Sequence, residues 1–150
     1  MFRGIKELYM EACGNYKQVI NQEIKCKKAE LLNSIAKEVL ENLGLKIEIC
    51  RGVNQQGIDI IARDKENKKI GVELKAYNCL EAIKDRHIQQ INRFIEKEDL
   101  YQVILLTTTD KNEIKENVKP QIRIVYYKEL EKLSRTKFQK ELDYIREHSV

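Results

Sequence analysis

The sequence predicts an α/β fold, a mixed sheet flanked by helices on both faces, and three observations carry that prediction. Leu31, Leu32, Ile35, Ala36, Val39, Leu40 and Leu43 recur at three- and four-residue steps, which gathers them on one stripe of a helix. After Gly44 the period changes, and short alternating or β-branched runs separated by polar turns extend to Ala76. Farther on, Gln102–Thr108 is a continuous apolar run of β-formers, the pattern of a central strand covered on both sides. Helices and strands that interleave in this way pack as layers around one sheet.

Taken in order, residues 3–23 alternate roughly as a helix does but are interrupted by Gly14, which predicts one or two helices. A clearer helix covers 27–43, with Gly44 placed as its left-handed cap. Leu45, Ile47 and Ile49 form the inward side of a first strand, and Arg51–Gly57, with two glycines and several amides, is a turn. Gly57–Arg63 and Ile70–Ala76 are the second and third strands, joined by the polar Asp64–Lys69 connection into an antiparallel meander. Residues 80–97 return to helical spacing, with Ile83, Ile88, Ile91, Phe94 and Ile95 on the buried side. A short polar or helical crossover then ends at Pro120, followed by a strand over Ile122–Tyr126. Leu130, Leu133, Phe138, Leu142 and Ile145 mark a closing helix broken near Ser134. The domain reading is a single unit: an N-terminal helical extension over 1–26, a core over 27–108, and a C-terminal strand and helix over 109–150.

Composition narrows the function. Of 150 residues 42% are hydrophobic, enough for one core, and the 35% that are charged give a heavily solvated surface. No run approaches the ~18 apolar residues of a membrane helix. The first residues lack the apolar core of an export signal, so the expected location is the cytoplasm. Cys13, Cys26, Cys50 and Cys79 are far apart and far from a paired His, which excludes a thiol zinc cluster; reduced thiols filling the core are expected. The net charge of +4 permits a polyanion partner. Lys25, Lys27 and Lys28, and again Lys65, Lys68 and Lys69, are locally basic, although a solvated surface is the simpler reading of each cluster alone.

Two positions break the pattern of a core. Asp59 lies inside Ile58–Ile61 and Glu73 inside Val72–Leu74, and a carboxylate in a strand interior costs several kcal/mol unless compensated. Glu73 and Lys75 are two apart and share a strand face. A hairpin centred on residue 66 sets Asp59 opposite Glu73, ~5 Å apart at Cβ. Two carboxylates so close become favourable around a divalent cation, and Mg²⁺ (or Mn²⁺ in its place) takes such oxygen ligands. Lys75 alongside can orient a water or neutralise charge on a phosphate. The same three side chains can equally form a buried ion network with no ligand, and their spacing leaves both readings open.

Gly57-Ile-Asp59-Ile, followed by Glu73-Leu-Lys75, resembles the signature of the PD-(D/E)xK nuclease superfamily. This is the restriction-endonuclease-like fold, which includes Mrr-type restriction enzymes, archaeal Holliday-junction resolvases and RecB-like nucleases. Its αβββαβ core has the order read above from residue 27 to residue 108, and Ile58 stands where some members have Pro. The resemblance implies a metal-dependent deoxyribonuclease that hydrolyses phosphodiester bonds in DNA repair, recombination or restriction. By it Asp59, Glu73 and the backbone carbonyl of Leu74 would hold Mg²⁺, and Lys75 would position the hydrolytic water. Many members add a Glu from the first helix, here Glu30 or alternatively Glu38, though a solvated helix face accounts for either. Gln90-Ile-Asn-Arg-Phe94 is similar to the Gln-x-x-x-Tyr element of RecB-like nucleases, with Gln89 competing for the role of Gln90 and Phe94 read mainly as core.

Lys27, Lys28 and Arg93 are the expected DNA contacts. A homodimer through the stripe over 128–147 is one use of that segment, and covering its own core is the other. No cysteine follows Cys79, which excludes the iron–sulfur subgroup. The alternative function is a catalytically inactive DNA-binding or assembly module of the same fold.

Overall fold

The computed structural model describes residues 5–51 and 57–149, with side chains from residue 16 onward. Helix α1 (Ile5–Asn42) is one continuous helix of 38 residues rather than two. It runs through Gly14 and through the 26/27 position where the sequence placed the start of the core. A single glycine costs a helix only ~1 kcal/mol relative to Ala, and no proline stands in the segment, so nothing forces a break. The C-terminus closes as the sequence predicts: Gly44 adopts φ +80° and donates to the Glu41 carbonyl, while the Leu45 N–H reaches back to Leu40. That pair of bonds satisfies carbonyls the last turn would leave bare.

The chain continues through β1 (Lys46–Cys50), β2 (Ile60–Arg63), β3 (Lys69–Lys75), β4 (Ala82–Lys84), α2 (Asp85–Glu98), β5 (Gln102–Thr107), β6 (Lys111–Glu113), β7 (Ile122–Val125), α3 (Tyr127–Leu133) and α4 (Gln139–Glu147). Five strands form one mixed sheet in the order β1-β2-β3-β5-β7. The β1-β2-β3 part is the antiparallel meander, and β3-β5-β7 are parallel. Side chains of β3 and β5 alternate between two cores. Ile70, Val72, Ile104 and Leu106 pack with α1, α3 and α4, and Val103 and Leu105 pack with Ile88, Ile91 and Ile95 of α2. At Gly71, on the α2 side of β3, an added Cβ would come within 2.6 Å of the Ile58 side chain and 2.7 Å of the Leu100 side chain, so any larger residue would force that core to shift.

Several expectations are corrected. Ile83 is buried, but in β4 rather than in the helix, which begins at Asp85; β4 pairs with β6, so the crossover contains a strand and not a helix. In β1 the register shifts between Ile47 and Ile49, which breaks the alternation and leaves Ile49 exposed. Cys26 is half-buried and Cys50 and Cys79 are exposed, so none of these three fills the core; the side chain of Cys13 lies outside the described residues. The closing helix is interrupted at Ser134, as expected. Leu130, Leu142 and Ile145 pack into the chain's own core, the second of the two uses expected for 128–147. Among the described residues no helix is long and apolar enough to cross a membrane.

Candidate active site

The register of the β2–β3 hairpin places the carboxylates. Ile60 pairs with Val72, Ile61 with Gly71 and Ala62 with Ile70, which is the pairing centred on residue 66. Asp59 falls one residue before β2 and continues that register to Glu73. Its Oδ2 accepts the Leu74 N–H at 2.8 Å. The segment carrying Asp59 is clamped from both sides. Arg51 donates to the Ile58 carbonyl at 2.8 Å and pairs with Glu98 at 2.7 Å, and Glu98 in turn accepts the Ile58 N–H at 3.3 Å. Gly57 of the motif has φ +102°, a conformation that favours glycine, and a Cβ there would stand 2.8 Å from the Arg51 guanidinium and push it aside.

Glu73 is 4% exposed and belongs to the α2 face of β3. Burial, and then the hydrogen bond to Asp59 and its charge, push the Glu73 carboxyl up to about 9, with Lys75 pulling the other way. Glu73 therefore keeps its proton near neutral pH. Lys75 Nζ lies 4.0 Å from Glu73 Oε2. Behind it three buried threonines fix the chain after β3: Thr107 donates to the Lys75 carbonyl at 3.0 Å, Thr108 to Tyr77 at 2.6 Å and Thr109 to Glu81 at 2.5 Å.

These groups line a cleft of about 1010 Å³ between α1 and α2. Asp59, Glu73, Leu74, Lys75, Glu30 and Gln90 all face it. The two open alternatives separate here. Glu38 is bound to Lys137 at 2.7 Å, and Gln89 donates to Glu116 at 2.6 Å, so neither joins the cleft, whereas Glu30 and Gln90 do. Phe94 is half-buried and also lines the cleft. Glu30 stands apart from the acid pair: among the described residues no three His, Cys, Asp or Glu side chains converge on one point.

The expected DNA contacts fare unevenly. Lys28 is 2% exposed and donates to the His148 carbonyl at 2.6 Å, tying α1 to the chain beyond α4. It lines the cleft, but its ammonium is tied to that carbonyl, and burial lowers its pKa. Lys27 is exposed and lies over the Tyr144 ring, 4.4 Å from its centre. Arg93 is exposed on α2 and does not line the cleft. The cations that do line it include Lys25, Arg51 and Lys97, which the sequence did not single out as ligands. Lys97 follows Phe94 and Gln90 at three- and four-residue spacing on α2, a signal the sequence did carry.

The donor set suits a hard divalent cation. Two carboxylates, with a backbone carbonyl beside them, are the oxygen ligands that Mg²⁺ and Mn²⁺ take. The pair, with the Leu74 carbonyl, can hold such an ion.

A family model described as restriction endonuclease (Mrr_cat) matches residues 26–134 of this chain. No curated protein matches it. Among solved structures, the crystal structure of a repair endonuclease from Pyrococcus abyssi is similar at 17% identity and a TM-score of 0.42. That similarity covers 61% of this chain and 44% of the other, so the chain spans less than half the length of that protein.

Proposed function

Because the chain belongs to the restriction endonuclease family, we propose that it is a divalent-metal-dependent deoxyribonuclease that hydrolyses the phosphodiester backbone at the Asp59–Glu73–Lys75 centre. The observation that carries this reading is the buried acid pair, Glu73 raised to about 9 against Asp59, with the Lys75 ammonium 4.0 Å away at the wall of a wide cleft. A buried pair of this kind without a cation is a standing cost to the fold, which a ligand bearing positive charge removes.

Asp59, Glu73 and the Leu74 carbonyl would hold Mg²⁺, with Mn²⁺ able to substitute. The ion would supply Lewis-acid chemistry, lowering the pKa of a water and offsetting phosphate charge. The chain's own groups do the rest. Lys75, its carbonyl held by Thr107, orients the attacking water and meets the charge that grows on the phosphate. Gln90 reaches the cleft from α2 as an uncharged donor to a phosphate oxygen or to that water. Glu30 faces the same space from α1 and serves as an acceptor for ordered water around the ion. Lys25 and Lys97 flank the acids and offset their charge against an incoming polyanion.

The test is a cleavage panel of single-stranded, duplex, flapped and four-way-junction DNA with Mg²⁺ or Mn²⁺. At least one substrate should be cut, and chelation should stop the cutting. Absence of cleavage on every substrate with both metals contradicts the proposal.

A further inference from the structure

Beside the acid pair lies a second group of polar side chains that the hydrolysis described above does not use. His87, 5% exposed at the start of α2, accepts the Lys84 N–H through Nδ1 at 2.9 Å. Its Nε2 stands 2.6 Å from the Tyr77 hydroxyl oxygen. An imidazole whose Nδ1 accepts a backbone N–H carries its proton on Nε2 in the neutral ring, so His87 donates to Tyr77 and not the reverse. The ring is neutral at ordinary pH, because burial, with Lys75 and Arg86 close by, lowers its pKa to about 4.

One consequence follows for Tyr77. Its oxygen is occupied as an acceptor by His87, which leaves the hydroxyl proton free to be given elsewhere. Burial raises the pKa of the phenol, so it keeps that proton. Tyr77 lines the same cleft as Lys75 and Glu73, and the chain bearing it is held by Thr108, which donates to the Tyr77 carbonyl at 2.6 Å. The exposed Arg86 guanidinium lies beside the same hydroxyl. A neutral O–H donor on a residue that lines the cleft, with an exposed guanidinium beside it, is the chemistry that recognises a phosphodiester oxygen.

We propose that Tyr77 and Arg86 form a binding subsite for a backbone phosphate of the nucleic acid, adjacent to the Asp59–Glu73 centre, with His87 as the residue that orients the Tyr77 hydroxyl. This rests on the nuclease reading and adds to it the contact that sets a phosphate beside the one being cleaved. Tyr77 and Arg86 touch the substrate; His87 acts through Tyr77 and is a positioning residue.

The experiment measures cleavage and salt-dependent DNA binding for the whole chain and its variants, with binding followed by fluorescence anisotropy in Ca²⁺. Arg86→Gln should weaken binding and reduce the slope of log K against log salt by about 0.9, the loss of one phosphate contact. Tyr77→Phe removes a neutral donor. It should leave that slope unchanged while lowering kcat/KM by about tenfold, a hydrogen bond to a charged oxygen.

His87→Gln, which keeps a donor at the Nε2 position, should retain most of the activity, and His87→Leu should fall to the level of Tyr77→Phe. The double variant Tyr77→Phe with His87→Leu should be no worse than Tyr77→Phe alone, whereas a merely structural histidine gives losses that add. If His87→Leu does not fold, Tyr77→Phe and Arg86→Gln decide the matter, since the first deletes one oxygen and the second changes an exposed residue. A wild-type protein that cuts DNA, with Tyr77→Phe equally fast and Arg86→Gln of unchanged slope, overturns the subsite and leaves the nuclease reading standing. A wild-type protein that neither cuts nor binds DNA overturns both.

Discussion

Asp59 and Asp64 stand at opposite ends of one hairpin, and the fold treats them in opposite ways. At the turn end, Asp64 Oδ1 accepts the N–H groups of Glu66 and Lys68, both at 2.9 Å, and closes the connection to β3. Asp85, at the start of α2, is used likewise. It accepts from Lys115 and Glu116, and those two backbone donors hold its carboxyl below the usual range. At the cleft end, Asp59 receives one backbone donor, and its neighbour is a second, buried acid whose carboxyl is raised rather than lowered. A carboxylate that builds the fold is surrounded by donors. One that is crowded by another carboxylate is arranged for something the protein chain itself does not supply.

The largest expected effect lies at the cleft end. Asp59→Asn, Glu73→Gln and Lys75→Ala should each slow DNA cleavage by ~10²-fold or more, since each removes a charge that acts at the phosphate or the cation. Thermal melts of the same variants should show the fold intact. Gly71→Ala comes next: its Cβ would collide with Ile58 and Leu100 in the core under α2. A loss of about 1–3 kcal/mol in a denaturant titration is expected, as for other overpacked sites. At the turn end, Asp64→Ala should cost about 1 kcal/mol of stability, the two backbone donors losing their acceptor. Cleavage by the surviving folded protein should be unchanged. Equal effects of Asp59→Asn and Asp64→Ala on cleavage would erase the contrast between the two ends.

Stability against pH sharpens the same contrast. Glu73 keeps its proton in the fold up to about 9, whereas the unfolded chain releases it near 4.5, the ordinary value for a glutamate. The folded state thus binds more protons between those values, and without divalent metal its stability should decline as pH rises through them. Glu73→Gln should flatten that decline. His87 acts with the other sign: its pKa falls from 6.5 to about 4, so stability should decline as pH drops through that window. The two windows overlap between about 4.5 and 6.5, where the effects oppose each other, so chemical denaturation above 6.5 reads Glu73 alone and the Glu73→Gln variant reads His87 below it.

The sequence made the hairpin legible because its connection, Asp64–Lys69, is polar throughout and its flanking strands are not. Its centre fixed the register, and with it the pairing of Asp59 and Glu73. The cap at Gly44 and the break at Ser134 were legible for a similar reason, since their signals are local. What escaped depends on distant chain. Strand β4 exists because β6, almost thirty residues later, pairs with it. Lys28 is buried because the carbonyl of His148 receives its ammonium, and nothing near Lys28 in sequence announces that. The Tyr77–His87 contact is similar, as a turn and β4 intervene and the spacing fits neither helix nor strand period. The choice between Glu30 and Glu38, and between Gln90 and Gln89, needed the partners on other elements before one of each faced the cleft.

The most direct test of the acid pair counts protons. Mn²⁺ is titrated into the protein at pH 7.5 by calorimetry in buffers of different ionisation enthalpy. Binding should release about one proton, because the cation displaces the one that Glu73 keeps; Glu73→Gln should release none, and Asp59→Asn should bind far more weakly. Tight binding with no proton release in the wild-type protein, or binding that is indifferent to both substitutions, would contradict the account.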